Sequence, residues 1–274
     1  MPNNRRYMIL GLVLGVLALG SSVVPEMSNP AAGQPLNLTG YYVTFDEKFN
    51  HLDISAYGSD RQWIAHTPWN GDFGDAIFGN PEQDGPFSIN AQGLEITAKR
   101  GTNGKWTSGL ICSVDKDGPG QHGFAQKYGY FEMKAILPSG SGTWPAFWLV
   151  GRDKTHAGAE IDVIEYYGGF PKYFHTTEHV WVMGKNALLR TQLIEVPEGS
   201  LSSGYNLFGV LITPQKTTFY LNRHEYWQTT TPPEYQQPMY ILADLALGGG
   251  WPISDLPSPQ VMQIAYIKVY SKTP

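Results

Sequence analysis

Glu160-Ile161-Asp162-Val163-Ile164-Glu165 sets three acids on one extended stretch. Successive side chains of a strand point to opposite faces, so Glu160 and Asp162 share one face and Ile161 and Val163 the other. Strict alternation then puts Ile164, not Glu165, beside the two acids. One extra residue, a β-bulge near Val163-Ile164, returns Glu165 to the acidic face, and bulges are common beside active sites. Three like charges on one face repel, which a purely structural strand avoids. Two carboxylates flanking a third suit the cleavage of a glycosidic bond with retention, which wants a pair of acids about 5–5.5 Å apart. The two glutamates lie roughly 13 Å apart at Cα by the strand rise, a gap that two inward-leaning arms can close.

Outward from this stretch the chain reads as short strands punctuated by Gly, Pro, Asn and Asp. They fall at 94–99, 128–137, 146–150, 160–167, 173–182, 206–212, 217–221, 240–247 and 263–270. Asn222-Arg223 between two such runs marks a hairpin turn. With no internal repeat and no convincing amphipathic helix, the pattern predicts an all-β sandwich or barrel. Residues 62–86 are rich in Gly, Asp, Asn and Pro, and a long loop of that kind reads as a binding wall.

Arg5 and Arg6 precede an apolar run from Met8 to Gly20, followed by Ser21-Ser22 and a polar, Pro-containing segment. This is the pattern of a secretory signal peptide, so residues 1–30 are expected to be signal and leader, and the protein secreted or periplasmic. The run is near the lower limit for a membrane anchor, and no cysteine follows it to carry a lipid. No linker divides residues 31–274, which are expected to form one catalytic domain.

Charged residues make up 16% of the chain and aromatics 13%, with eight Trp and sixteen Tyr. Few charges and many rings suit a surface that stacks on sugars, and equally an aromatic-rich core. A net charge of −5 argues against a partner tracked through its phosphates. Cys112 is the only cysteine, so the chain forms no internal disulfide. It sits in a half-buried strand pattern without an adjacent His and reads as a core thiol.

The acidic stretch follows Gly140-Ser141-Gly142-Thr143-Trp144-Pro145-Ala146-Phe147-Trp148-Leu149 and, before that, Tyr128-Gly129-Tyr130-Phe131-Glu132-Met133-Lys134. Leu247-Gly248-Gly249-Gly250-Trp251-Pro252 and Ile264-Ala265-Tyr266-Ile267-Lys268-Val269-Tyr270 come near the end. From about Phe45 to Tyr270 the chain resembles glycoside hydrolase family 16, in its bulged, laminarinase-like branch. The resemblance implies a β-sandwich jelly roll of two curved antiparallel sheets with a concave substrate cleft. It implies Glu160 as nucleophile, Glu165 as acid and later base, and Asp162 as the residue between them that biases which acid keeps the proton.

Trp144 and Trp148 share a face, and at least one is expected to stack on a sugar, with Trp148 preferred and a core role open for the other. Trp251 reads as a cleft-rim platform or a loop anchor. His175 and His179 share a face without a third metal ligand at a recognisable spacing, so they are expected to bond substrate hydroxyls or Glu165, with Trp181 on the same wall. Where laminarinases carry Asn-x-Glu-x-Gln, this chain has Thr67-Pro68-Trp69-Asn70-Gly71-Asp72. Trp69, Asn70 and Asp72 are therefore expected either to read a sugar other than a β-1,3-glucan unit or to shape the loop.

The expected substrate is a polysaccharide, a β-glucan or a bacterial exopolysaccharide. No cofactor, metal, nucleic acid or stable membrane insertion after processing is expected, and the protein should act as a monomer. Transglycosylation, and a carbohydrate-binding jelly roll without catalysis, remain the alternatives; a lyase would need a Tyr/His base cluster that the sequence lacks. Many relatives hold a structural calcium, but here Lys48 and Ala265 stand where two acids would bind it, so no calcium site is expected.

Overall fold

The computed structural model describes residues 33–58, 61–69, 71–115 and 123–272. The segment read as signal and leader, residues 1–30, lies outside these residues, as does Asn70.

Two sheets pack face to face as a jelly roll, their strands numbered here in chain order. The first runs β14 (Lys185–Glu195), β13 (Tyr173–Val182), β12 (Gly158–Glu165), β11 (Thr143–Gly151), β18 (Met239–Leu247), β8 (Leu110–Cys112), β3 (Trp63–Ile64) and β2 (Ile54–Ser55), with β9 (Ala125–Gln126) beside β18. The second runs β17 (His224–Thr230), β16 (Lys216–Leu221), β15 (Asn206–Ile212), β10 (Gly129–Ile136), β19 (Gln260–Lys272), β6 (Gly93–Arg100), β7 (Trp106–Ser108) and β4 (Ile77–Phe78). Two further strands join it, β1 (Tyr41–Glu47) on β19 and β5 (Phe87–Asn90) on β6. The described residues add only the four-residue helix Ser200–Ser203 and the 3-10 turn Pro233–Tyr235.

The sheets are not purely antiparallel, as expected from sequence, but mixed. β2 pairs with β3 and β4 with β7 in parallel, because strands of two or three residues form where long loops run back alongside, not where hairpins turn.

Alternation decides what each face of the first sheet meets. Along β18, Ile241, Ala243, Leu245 and Leu247 enter the core between the sheets. Tyr240, Leu242 and Ala246 point the other way, into a second apolar cluster with Ile64, Cys112, Trp148 and Val150 that Trp69 and Phe73 cover. β18 is therefore buried on both faces along its whole length, and each large apolar side chain so covered contributes about 1.5–3 kcal/mol. Cys112 is one of these, a core thiol as read, and burial pushes its pKa up to about 12.

The second sheet buries an acid as deeply as any in the molecule. Glu132 on β10 is wholly inaccessible, and Arg223 grips it with Nε and one terminal nitrogen, each at 2.8 Å. The hydroxyls of Tyr130 and Tyr266 donate to it at 3.0 Å, so the charge is fully matched. Near the N-terminal strand, Lys48 and Lys268 each place Nζ 3.4 Å from Asp46.

Candidate active site

The register of β12 counts one residue too many on both sides. Toward β11, Ile164 faces Phe147 and Asp162 faces Trp148, leaving Val163 unpaired. Toward β13, Glu160 faces His179, Asp162 faces Thr177 and Glu165 faces His175. The three β13 partners are two apart and share a face, so the three acids share it too. The bulge read from the spacing is present, with Val163 as its extra residue. Its carbonyl accepts hydrogen bonds from Thr176 Oγ1 at 2.6 Å and from the Tyr226 hydroxyl at 3.2 Å. Tyr226 belongs to β17 in the opposite sheet, so the bulge is fastened through the core. From the same side the Tyr235 hydroxyl donates to the Glu160 carbonyl at 2.7 Å and lies 3.2 Å from that of His179.

The acids sit in a little-hydrated cluster. The side chains of Glu160 and Asp162 are 13% and 9% exposed, and burial is the first reason that their pKa values rise to about 8. Asp162 and then Glu165 push Glu160 further up, while His179 and the Trp181 indole pull it down. Glu165 also rises to about 8, through burial and then Asp162, against the pull of His179, Trp144 and Tyr167. Three such neighbours cannot all ionise at neutral pH, so the cluster holds protons that a carboxylate in water would release.

His179 joins the two acids. Its Nε2 is 3.3 Å from Asp162 and 3.9 Å from Glu160, and the Asn186 amide meets its Nδ1 at 2.6 Å. The Asn186 contact at Nδ1 leaves the Nε2 edge of the ring facing Asp162. Trp181 stacks on the imidazole at 4.9 Å. His175 lies opposite Glu165 in the register with its ring edge-on to Tyr167, and burial lowers its pKa. Glu160, Asp162 and His179 bring their ligand atoms within 4.8 Å of one another.

The tryptophans divide by what covers them. Trp144 is partly open, donates to Glu165 at 3.2 Å and stacks parallel to Tyr167. Trp148, preferred from sequence as the sugar contact, is only 7% exposed. The loop at residues 62–86 lays Trp69 and Phe73 edge-on against it, and its indole donates to Asp244 at 2.8 Å. Trp148 is therefore floor beneath the site, and Trp144 is the open indole of the pair. Trp69 keeps a partly open ring, with the Lys154 ammonium 4.2 Å above it. His66 pins this loop, with Nδ1 2.8 Å from Asp72 and Nε2 2.9 Å from Asn80; the bond to Asp72 is the main reason that its pKa is raised. Trp251 stands 39% exposed at the rim beside Phe170, 42% exposed. Both follow turns, and the three glycines before Trp251 all take left-handed φ. A Cβ on Gly249 would press into Trp144 and Tyr167 at 2.9 Å.

Asp244, Lys154, Tyr167 and Asn186 were not singled out from the sequence. The signal for Asp244 was available, since alternation along 240–247 puts one acid on a face otherwise made of Tyr240, Leu242 and Ala246.

Residues 82–268 match the family described as glycosyl hydrolases family 16. The chain belongs to this family. It is 33% identical over 251 residues to the endo-1,3-1,4-beta-glycanase EglC of Rhizobium meliloti (strain 1021), covering 83% of this chain and 51% of that protein. A keratan-sulfate endo-1,4-beta-galactosidase of Sphingobacterium multivorum is 28% identical, with 90% of this chain and 60% of that one covered. The chain spans about half the length of the first of these relatives. Its fold is that of the laminarinase catalytic domain from Thermotoga maritima MSB8, with a TM-score of 0.67 at 20% identity over 85% of this chain and 99% of that one.

Proposed function

We propose that this family 16 member is a retaining endo-β-glycosidase that hydrolyses internal bonds of a polysaccharide, a β-glucan or a bacterial exopolysaccharide. The observation that carries the reading is the Val163 bulge, which sets Glu160 and Glu165 on one face with Asp162 between them. Glu160 attacks the anomeric carbon and forms the covalent glycosyl-enzyme while Glu165 protonates the departing oxygen. Glu165, now ionised, takes a proton from water, whose oxygen displaces Glu160 and restores both acids. Asp162, with the His179 Nε2 3.3 Å away, lies between the two glutamates and biases which of them keeps the proton. Trp144 holds Glu165 by its indole N–H and offers its ring to the sugar beside the cleaved bond. Trp69 and Trp251 extend the groove on either side.

Similarity to an endo-1,3-1,4-beta-glycanase and a keratan-sulfate endo-1,4-beta-galactosidase supports a β-linked backbone of hexoses. Export is part of the same reading, supported by Arg5 and Arg6 ahead of the apolar run and by the size of a polymeric substrate. The test is a panel of β-glucans, galactans and bacterial exopolysaccharides, scored by new reducing ends and product size, with proton NMR of the first product. A mid-chain cut giving the β anomer first is expected. An α anomer first would overturn retention, and an unsaturated product would replace hydrolysis by elimination.

A further inference from the structure

Lys154 is a cation that this reaction does not use. β11 ends at Gly151, and in the loop beyond it the Asp153 Oδ1 accepts the Thr155 backbone N–H at 2.9 Å. That carboxylate serves the turn, and Lys154 is left to face elsewhere. The residue is open to solvent, yet its ammonium rests 4.2 Å from the centre of the Trp69 ring and 5.8 Å from that of Tyr240. Among the described residues no carboxylate comes within ion-pair distance of it. Burial of the ammonium end lowers its pKa to about 8, and Glu160, acting from further off, pulls it part of the way back.

The register places this cation along the site. Glu165, Asp162 and Glu160 face Ala146, Trp148 and Val150 of β11 in that order, and Val150 faces Tyr240 on its other side. Lys154 follows the end of β11 and lies over Tyr240, so it stands beyond the nucleophile, at the end of the acid row away from Glu165. The indole that it covers belongs to the loop that walls the groove, and Trp69 keeps a partly open ring. A sugar that stacks on this ring meets the ammonium at once. A neutral sugar gains nothing from a charge that it must strip of water, whereas an acid on the sugar supplies a counter-ion and a charge-assisted hydrogen bond. One ammonium is a compact point charge without the fork of a guanidinium, which suits a single carboxylate at the edge of a sugar ring.

We propose that Trp69 and Lys154 form a subsite for an acidic sugar unit, the indole stacking on the ring and the ammonium pairing with a carboxylate carried by the polymer. Lys154 then leaves the indole face for the carboxylate as the ring arrives. Glu160 repels the same anion, so the substituent lies on the Trp69 side of the ammonium, away from the nucleophile. The carboxylate is that of a uronic acid or of an ester-linked half-acid. The inference rests on the proposed cleavage of a polysaccharide in this groove and narrows that substrate to an anionic one.

The variant is Lys154→Met, which keeps most of the side chain's length and removes its charge. The probes are a mixed-linkage β-1,3-1,4-glucan and two lightly modified forms of it, one oxidised to uronate and one bearing ester-linked half-acids, each cast in a native gel to measure retardation. The native protein should bind one acidic form about tenfold more tightly than the parent glucan, a preference that shrinks as salt rises; the form preferred tells uronate from ester. Lys154→Met should bind all three as the native protein binds the parent, and Lys154→Arg should keep the preference. A native protein that does not tell the forms apart would overturn the proposal, as would a preference that survives in Lys154→Met. Equal weakening on all three forms would also overturn it and assign Lys154 to Glu160 or to the fold. Retardation needs no turnover, so a preference lost in Lys154→Met upholds the subsite even if every polymer goes uncut. Cleavage of the neutral glucan without any such preference would leave the proposed function standing and sink the subsite.

Discussion

Glu132 in the second sheet and the acids of β12 in the first are buried to a similar depth, yet they are built to opposite ends. Glu132 meets a bidentate Arg223 and two tyrosine hydroxyls, so its charge is settled and it serves the fold. Glu160, Asp162, Glu165 and Asp244 share one face with no Lys or Arg salt bridge among the described residues, and each is raised to about 8. Burial alone does not distinguish a structural acid from a reactive one. The counter-ion does.

The contrast breaks first at Glu160. Glu160→Ala should cut turnover on polymer on the order of 10⁴-fold, and added azide or formate should partly restore cleavage of an activated aryl glycoside. Near-native activity would remove Glu160 as nucleophile. Glu165→Gln should lose on the order of 10²- to 10³-fold on natural linkages, which need a proton, while an aryl glycoside with a good leaving phenol is spared. Equal loss on both substrates would end its role as acid. Glu132→Gln should do the reverse, sparing the pH profile and costing stability. About 2–3 kcal/mol is expected in a denaturant titration, a buried-pair cost discounted because the Arg223 side chain is 41% exposed.

A pH series of melting temperatures sharpens the same comparison. Unfolded, the cleft acids release protons near pH 4; folded, they do so near 8. Between these values the folded state binds more protons, so stability should fall as pH rises from about 4 to 8. Glu160→Gln should flatten that slope. The smallest expected effect is none: excess calcium against chelator should leave the midpoint unmoved, since Lys48 and Lys268 already serve Asp46, whereas an ion bound to the folded state alone would raise it.

Much of this site was legible because its central signal is local. Three acids at a spacing that violates alternation demand a bulge, and the register supplies it at Val163. The core strands were equally legible where apolar residues alternate or run together, as in 206–212 and 240–247. β14 and β1 escaped notice because edge strands carry polar and charged residues on both faces, as Lys185–Glu195 does with burial on few positions. Trp148 was misjudged for a different reason. Even spacing tells which face a side chain takes but not what lies over it, and its cover comes from Trp69 and Phe73, some seventy-five residues earlier by the numbering. The lone acid on the apolar face of 240–247 was visible, but the pairing that sets Asp244 across Ala146 from Glu165 joins strands distant in sequence, which no local pattern announces.

The fastening of the bulge has a consequence for heat. The Val163 carbonyl is held by Tyr226, a side chain of β17 at the margin of the opposite sheet. The position of Glu165 is thus keyed to the gap between the two layers. Sheet margins fray before centres do, so warming should loosen β17 and free the Tyr226 hydroxyl, leaving the carbonyl on Thr176 of the neighbouring strand alone and the acid less firmly placed while most of the sandwich stays intact. Catalysis should then fail some degrees below the loss of structure, and reversibly, with the far layer acting as the molecule's thermal fuse.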